Sequence, residues 1–128
     1  MLARLEWGEG NGREVRGVEE LDHVLDELER EAADEPFLVE LSRNGGASLS
    51  LGLGRRLTAL DYVPADLNPP YYQSYAPGVS RDSLWFRFRG EASEFAPEAA
   101  VSAEAGRRAL RHFLLTGDLT PELSWQET

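Results

Sequence analysis

The stretch from residue 36 to residue 63 constrains the fold of this chain most strongly. Apolar side chains occupy every second position in two runs that flank the sequence Asn-Gly-Gly at 44–46, namely Phe37, Val39 and Leu41, then Leu49, Leu51 and Leu53. Period-two patterning around such a turn predicts a β-hairpin. A third run covers residues 57–63. We therefore predict a three-stranded antiparallel meander at the centre of a sheet, one face of which must be buried by other elements.

Two amphipathic segments can supply that cover. Residues 18–33 carry apolar side chains at helical spacing, with acidic residues on the remaining faces. Ser102 is a good N-terminal cap for a second helix that runs to Thr116, and Gly117 is well placed to end it. Gly106 lies in the apolar face of this helix and would allow close approach to the sheet. The patterns leave open whether the helices share one face of the sheet or cover one each.

Shorter alternating runs predict further strands at 2–7 (an edge strand), 13–16, 71–75, 83–89, 91–95 and 123–126. The predicted fold is a single α+β domain over residues 1–128, with a mainly antiparallel sheet of about five to seven strands packed with two α-helices. The direction of Asp61 stays open, because both faces of the third meander strand carry apolar residues. An inward Asp61 would need a hydrogen-bonded or charged partner.

Charge narrows the classes of function. The chain has 23 acidic and 13 basic residues and a net charge of -10, and every basic residue is arginine. This balance argues against generic binding to nucleic acids or anionic membranes, both of which attract basic proteins. It suits solubility or a basic protein partner, and the solvated acidic surface is the simpler explanation because many acidic cytosolic proteins have no such partner. The absence of cysteine excludes disulfides and thiolate sites, and no signal peptide or bilayer-spanning run is evident, so we expect a cytoplasmic protein.

No zinc-binding helix, phosphate-binding loop or nucleophile elbow is present in the sequence. We therefore expect a binding protein without catalytic, metal or cofactor sites. Tyrosines clustered beside prolines in residues 64–78 are typical of contact surfaces, where rigid rings bury much area at low entropic cost. With nearby carboxylates they form the predicted partner-binding set: Asp66, Tyr71, Tyr72, Tyr75, Glu91 and Glu94. The alternative is that Tyr71 and Tyr72 flank a strand, one pointing inward and one outward.

A second hypothesis is a small ligand-binding domain or enzyme. Trp85, Arg87 and Arg89 alternate on one face of a predicted strand and could line an anion site with cation–π contacts. Such a face is more often a half-exposed sheet surface. A third hypothesis, a DNA-mimic inhibitor, requires carboxylates spaced like phosphates, which a sequence does not reveal.

Several short segments, taken in order, resemble landmarks of the Imm1 family of immunity proteins from bacterial polymorphic toxin systems. They are Leu5–Gly8, Val18–Asp22, Leu49–Gly54, Leu60–Tyr62, Pro69–Tyr72, Gly90–Phe95, Ala109–Phe113, Thr116–Leu119 and Ser124–Glu127. The sequence departs from the family pattern where Thr120 separates Leu119 from Pro121, and at Arg55-Arg56.

This resemblance implies a small α+β protein that binds and neutralises a cognate secreted toxin. Toxins paired with the family include nucleic-acid deaminases and nucleases. Inhibition would be stoichiometric, by a monomer in a 1:1 complex that covers the active site or the substrate-binding surface of the toxin. The resemblance implies neither a direct nucleic-acid contact nor a membrane contact.

Overall fold

The computed structural model describes residues 3–43 and 46–128. Its helices are α1 (Val18–Ala32) and α2 (Ala103–Thr116), and a short 3-10 helix spans Pro97–Ala99. Its strands are β1 (Ala3–Trp7), β2 (Asn11–Val15), β3 (Phe37–Arg43), β4 (Ser48–Leu53), β5 (Leu57–Thr58), β6 (Leu60–Val63), β7 (Tyr72–Tyr75), β8 (Leu84–Phe88), β9 (Glu91–Phe95), β10 (Val101–Ser102) and β11 (Ser124–Glu127).

Nine strands form one sheet, in which seven follow the order β11-β7-β6-β4-β3-β1-β2 and are antiparallel. Strand β8 joins β3 in parallel at one pair, Phe37 and Arg87, and β9 pairs with β8. Strands β5 and β10 form a separate pair. The predicted α+β class is confirmed, with more strands than expected. The meander β3-β4-β6 is confirmed at the centre, although residues 44–45 of its first turn lie outside the described residues.

Two strand predictions were wrong in detail. The run at 57–63 is not one strand, because β5 leaves the main sheet to pair with β10 and Ala59 separates it from β6. At this break the Thr58 hydroxyl donates to the carbonyl of Gly52 at 2.8 Å and accepts from its N–H at 3.0 Å. Strand β1 is not an edge strand, since it lies between β3 and β2. The chain returns after β1 and adds β2 as the outer strand.

Both helices cover the same face of the sheet. The alternating apolar residues of β3 and β4 pack against them in one buried cluster. Two ion pairs join the helices across this layer: Asp22 Oδ1 to Arg111 Nε and Asp26 Oδ1 to Arg107 Nη1, each at 2.8 Å. Part of the acidic stripe of α1 therefore holds α2 in place. The sequence patterns left open whether the helices share one face of the sheet, and the structure shows that they do.

The local signals for α2 are confirmed. The Ser102 hydroxyl accepts a hydrogen bond from the N–H of Ala105 at 3.1 Å, and Gly117 ends the helix with φ of 79°. A Cβ atom at Gly106 would lie 2.6 Å from Thr58 Cγ2 and 2.7 Å from Leu51 Cδ1. Glycine at this position therefore lets α2 approach the sheet closely.

The opposite face of the sheet is covered over only part of its area. The hairpin β8–β9 folds over one end, where the Phe86 ring lies so close to Gly52 that any Cβ there would meet it. Around Phe86 a second apolar cluster forms from Leu38, Ala59, Leu84, Phe95, Ala99 and Ala100. The rest of this face has no covering element among the described residues. None of the helices in the described ranges has the length and apolar character needed to cross a membrane.

Candidate interaction surface

The uncovered part of the second sheet face carries a row of polar side chains. Register places Glu6 of β1 opposite Glu40 of β3, then Ser50 of β4, then Asp61 of β6, then Gln73 of β7. Residues paired in this way share one face of a sheet, with neighbouring strands about 4.8 Å apart. We call these five residues, together with the neighbouring Tyr71, the open face.

Asp61 points away from the helices. Its neighbour Leu60 is fully buried beneath them, and Tyr62 contacts Phe113 of α2 with ring centroids 6.3 Å apart. Asp61 is half-buried, and its side chain makes no hydrogen bond or ion pair with the residues that the structure describes. Burial raises the pKa of its carboxyl group to about 6, and the charge of Glu40 contributes to this rise. A carboxylate held in this way is typical of functional sites, though not restricted to them.

Glu40 is the second half-buried carboxylate of the row. Burial raises its pKa, while Arg89 lowers it and Glu6 raises it further. Arg89 Nη2 lies 3.5 Å from Glu40 Oε1, and Arg4 Nε lies 3.6 Å from Glu6 Oε2. Two of the three carboxylates in the row therefore have an arginine nearby, and Asp61 is the one without a cation among the described residues.

A surface depression of about 400 Å³ lies at the Asp61 end of the row. Its lining combines charge, an aromatic ring and apolar surface: Asp61, Val63, Tyr71, Gln73 and Thr128. Tyr71 is held there by its hydroxyl, which donates to the carbonyl of Leu67 at 2.6 Å. The same loop contains Asp66, whose Oδ1 accepts from the N–H of Asn68 at 2.9 Å. The structure thus brings one of the predicted binding residues, Tyr71, beside Asp61, and Asp66 lies in the loop that holds the Tyr71 hydroxyl.

The other predicted residues lie elsewhere. Tyr72 points to the helix side, with its ring 6.2 Å from that of Tyr62, so Tyr71 and Tyr72 do flank a strand, one outward and one inward. Tyr75 is 36% exposed at the end of β7. Glu91 and Glu94 are exposed on β9, which reaches the sheet through β8 and β3. Neither glutamate lines the Tyr71 depression, although the chain after β9 returns to β7, where the N–H of Ala76 donates to the carbonyl of Glu98 at 2.6 Å.

The arginines of the second hypothesis do not converge on an anion site. Arg87 Nε is 2.9 Å from Glu35 Oε1, and Arg89 is directed towards Glu40. Both line a depression of about 330 Å³, but three glutamates share its lining and Trp85 is absent from it. Trp85 is 47% exposed on the outer side of the hairpin. Because each arginine already has a carboxylate partner, the structure gives this hypothesis no support.

Sequence reasoning did not single out Glu6 or Glu40. The signal was available, because each lies between two inward apolar residues of its strand and must therefore face the opposite side. Pairing the strands of the predicted meander would have aligned Glu40 with Asp61. What the sequence could not reveal is which part of this face the β8–β9 hairpin covers.

Comparison with known proteins gives one positive result. No curated protein matches the chain. The family model described as "Immunity protein Imm1" matches residues 9–127, nearly the whole chain, and this range contains every residue of the open face except Glu6. The resemblance found in the sequence motifs is confirmed, and the chain belongs to the Imm1 family of immunity proteins.

Proposed function

We propose that this protein binds and neutralises a cognate secreted toxin that acts on nucleic acid, as a deaminase or a nuclease. It is a stoichiometric inhibitor and not an enzyme, and it covers the active site or the substrate-binding surface of the toxin in a 1:1 complex. The observation that carries this proposal is the family match over residues 9–127, because immunity proteins protect the producing cell from a toxin.

The charge of the chain supports the nucleic-acid-targeting class. An enzyme that acts on nucleic acid presents a basic surface to the phosphate backbone. A protein with a net charge of -10 is attracted to such a surface, which raises the association rate and opposes binding to acidic proteins. The same charge keeps the inhibitor away from nucleic acid itself.

The proposed contacts begin with the loop before β7. Asp66 and Tyr71 both belong to this loop, and Tyr75 is exposed farther along the strand. Glu91 and Glu94 belong to a separate margin on β9, which a large toxin surface could reach as well. Tyr72 is the remaining member of the set, and its ring packs on that of Tyr62 on the inner side of the strand.

Purified components test the proposal directly. The toxin domain encoded beside this gene is mixed with increasing amounts of the protein, and its activity on DNA and RNA is measured. Activity should fall linearly and reach zero at one equivalent, and gel filtration should show a 1:1 complex. A toxin that stays fully active with excess protein, with no complex on the column, would refute the proposal.

A further inference from the structure

The second face of the sheet is half covered and half open, and the open half has the features of a docking surface. At one end, β8–β9 buries Leu38 and Phe86. At the other end, the carboxylates of Glu6, Glu40 and Asp61 lie in one row that spans about 15 Å across the strands. Arg89 lies against Glu40, whose side chain is 21% exposed, and Ser50 in the middle of the row is buried. The part of the row that is accessible to another molecule is therefore its Asp61 end, where the depression lies.

We infer that the open face is where this protein docks on its toxin, and that a basic side chain of the toxin, arginine or lysine, binds Asp61 in the depression beside Tyr71. The inference rests on the proposed function and names the surface and the chemistry of the partner. Its experiment separates the two, because the wild-type protein tests neutralisation and the variants test the surface.

The charges around Asp61 favour a cation there. Ser50 and Gln73, its neighbours in the row, are uncharged, and Glu40 lies one strand farther away. The cations in the row, Arg89 and Arg4, are directed to Glu40 and Glu6, so they leave Asp61 unneutralised. A basic group from the partner would supply the missing charge.

The depression also fits the shape of such a group. Its lining places the Asp61 carboxylate near the Tyr71 side chain and the apolar surface of Val63. A guanidinium group makes paired hydrogen bonds to a carboxylate and stacks on an aromatic ring, whereas a lysine ammonium binds the carboxylate as a point charge and makes a cation–π contact with the ring. Apolar surface beside the carboxylate accommodates the methylene stem of either side chain.

Two other occupants fit the open face less well. A second copy of this chain in a two-fold arrangement would place one carboxylate row against another, and facing like charges are repulsive. Nucleic acid would bring phosphates to the same carboxylates. A basic protein surface is the occupant with complementary charge.

The experiment measures the dissociation constant of the purified toxin domain for a set of variants by calorimetry. Asp61→Asn should weaken binding by about 10-fold, the double variant Glu40→Gln/Asp61→Asn by up to about 100-fold, and Asp61→Arg by more, because the cationic partner is then repelled. The matched control is Glu19→Gln/Glu104→Gln, which removes two exposed charges from the first turns of α1 and α2, on the other side of the sheet. It should change affinity by about 2-fold or less at 150 mM salt, where distant charges are largely screened.

A second readout concerns pH. A bound cation requires ionised Asp61, so affinity should fall as the pH drops through about 6, where this carboxyl group becomes protonated in the free protein. The groups facing it from β3, β1 and β7 are Glu40 with Arg89, Glu6 with Arg4, and Gln73. Asp61→Asn should lose this part of the pH dependence while retaining the contributions of the other groups.

The outcomes separate the claims. If wild-type protein binds and neutralises the toxin but the Asp61 and Glu40 variants bind equally well, the open face is not the docking surface and the proposed function stands. A larger loss from Glu91→Gln/Glu94→Gln than from Glu40→Gln/Asp61→Asn would overturn the inference in favour of the β9 margin. If the wild-type protein neither binds nor inhibits, the proposed function itself fails.

Discussion

The two faces of the central sheet are built from the same strands and differ in what covers them. On one face, the alternating leucines and valines of the meander meet two helices, and burial is complete. On the other, a hairpin buries Leu38 under Phe86, while farther across the sheet Glu40 is half-buried beside Arg89 and Asp61 lines a surface depression. The first face supplies most of the apolar core. The second divides its area between a smaller core and a polar surface that is available to a partner.

The Asp61 carboxylate adds nothing evident to folding. Asp61 is half-buried without a counter-charge among the described residues, and its raised pKa shows that the folded state disfavours its ionised form. A residue that costs stability where a neutral side chain would fit is expected mainly at functional sites. Four predictions test this contrast between the faces, from the largest effect to the smallest.

Phe86→Ala should remove the cover of the second core. The Phe86 side chain is 1% exposed and packs on Gly52 and Phe95, so its loss should lower the free energy of unfolding by about 3–5 kcal/mol. Its neighbour Trp85 points outward, and Trp85→Ala should cost about 0.5 kcal/mol or less. Urea denaturation measures both. Equal losses would show that the hairpin does not bury Phe86 against the sheet.

Gly106→Leu should break the close approach of α2 to the first face. The added side chain would collide with Thr58 and Leu51, which should cost about 1–3 kcal/mol although leucine favours helix formation. Arg108→Leu, on an exposed position of the same helix, should change the stability by about 0.5 kcal/mol. A stabilised Gly106→Leu protein would contradict the packing of α2.

Tyr71→Ala and Tyr72→Ala should separate binding from folding across one strand. Tyr72 packs on Tyr62 towards the helices, so Tyr72→Ala should lower stability by about 1–2 kcal/mol. Tyr71 faces the depression, so Tyr71→Ala should cost less stability and more affinity for the toxin. Denaturation measures the loss of stability in both variants, and calorimetry measures the loss of affinity. Equal losses of each quantity in the two variants would contradict the opposite orientations of the two rings.

Asp61→Asn should stabilise the protein at neutral pH. The folded-state pKa of about 6 exceeds the ordinary 3.8, so the stability linked to this proton is full below pH 3.8 and is lost as the pH rises through 6. The free energy of unfolding of the variant should exceed that of the wild type by about 1–2 kcal/mol at pH 7, a figure that allows for solvent screening at this half-buried group. At pH 4 the difference should be much smaller. Asp82→Asn, at an exposed position, serves as the control and should stay within about 0.5 kcal/mol of the wild type at both values.

Local patterns in the sequence predicted the elements that local physics determines. The hairpin at 37–53 and both helices follow from periodicity, and Ser102 and Gly117 mark the ends of α2 as expected. The cover of the second face was not predictable in this way, because β8 meets β3 through one pair between Phe37 and Arg87, far apart in the chain. That long-range contact decides which part of the face remains open.

The direction of Asp61 shows the same limit at one residue. Leu57 and Ala59 share its parity and suggested a buried face, but both belong to the second core under the hairpin. Since the chain bends out of the sheet at Ala59, the same face is buried before the bend and open after it. Alternation therefore predicts which residues share a face, and tertiary packing decides whether that face is covered.

The most direct test pairs two measurements on Asp61→Asn at pH 7: the free energy of unfolding and the dissociation constant for the toxin domain. If Asp61 of the open face binds the toxin, the variant should be more stable than the wild type and should bind the toxin domain about 10-fold more weakly. Opposite signs of this kind are not expected from a purely structural residue. A variant that loses stability, or that binds the toxin as tightly as the wild type, would contradict the account.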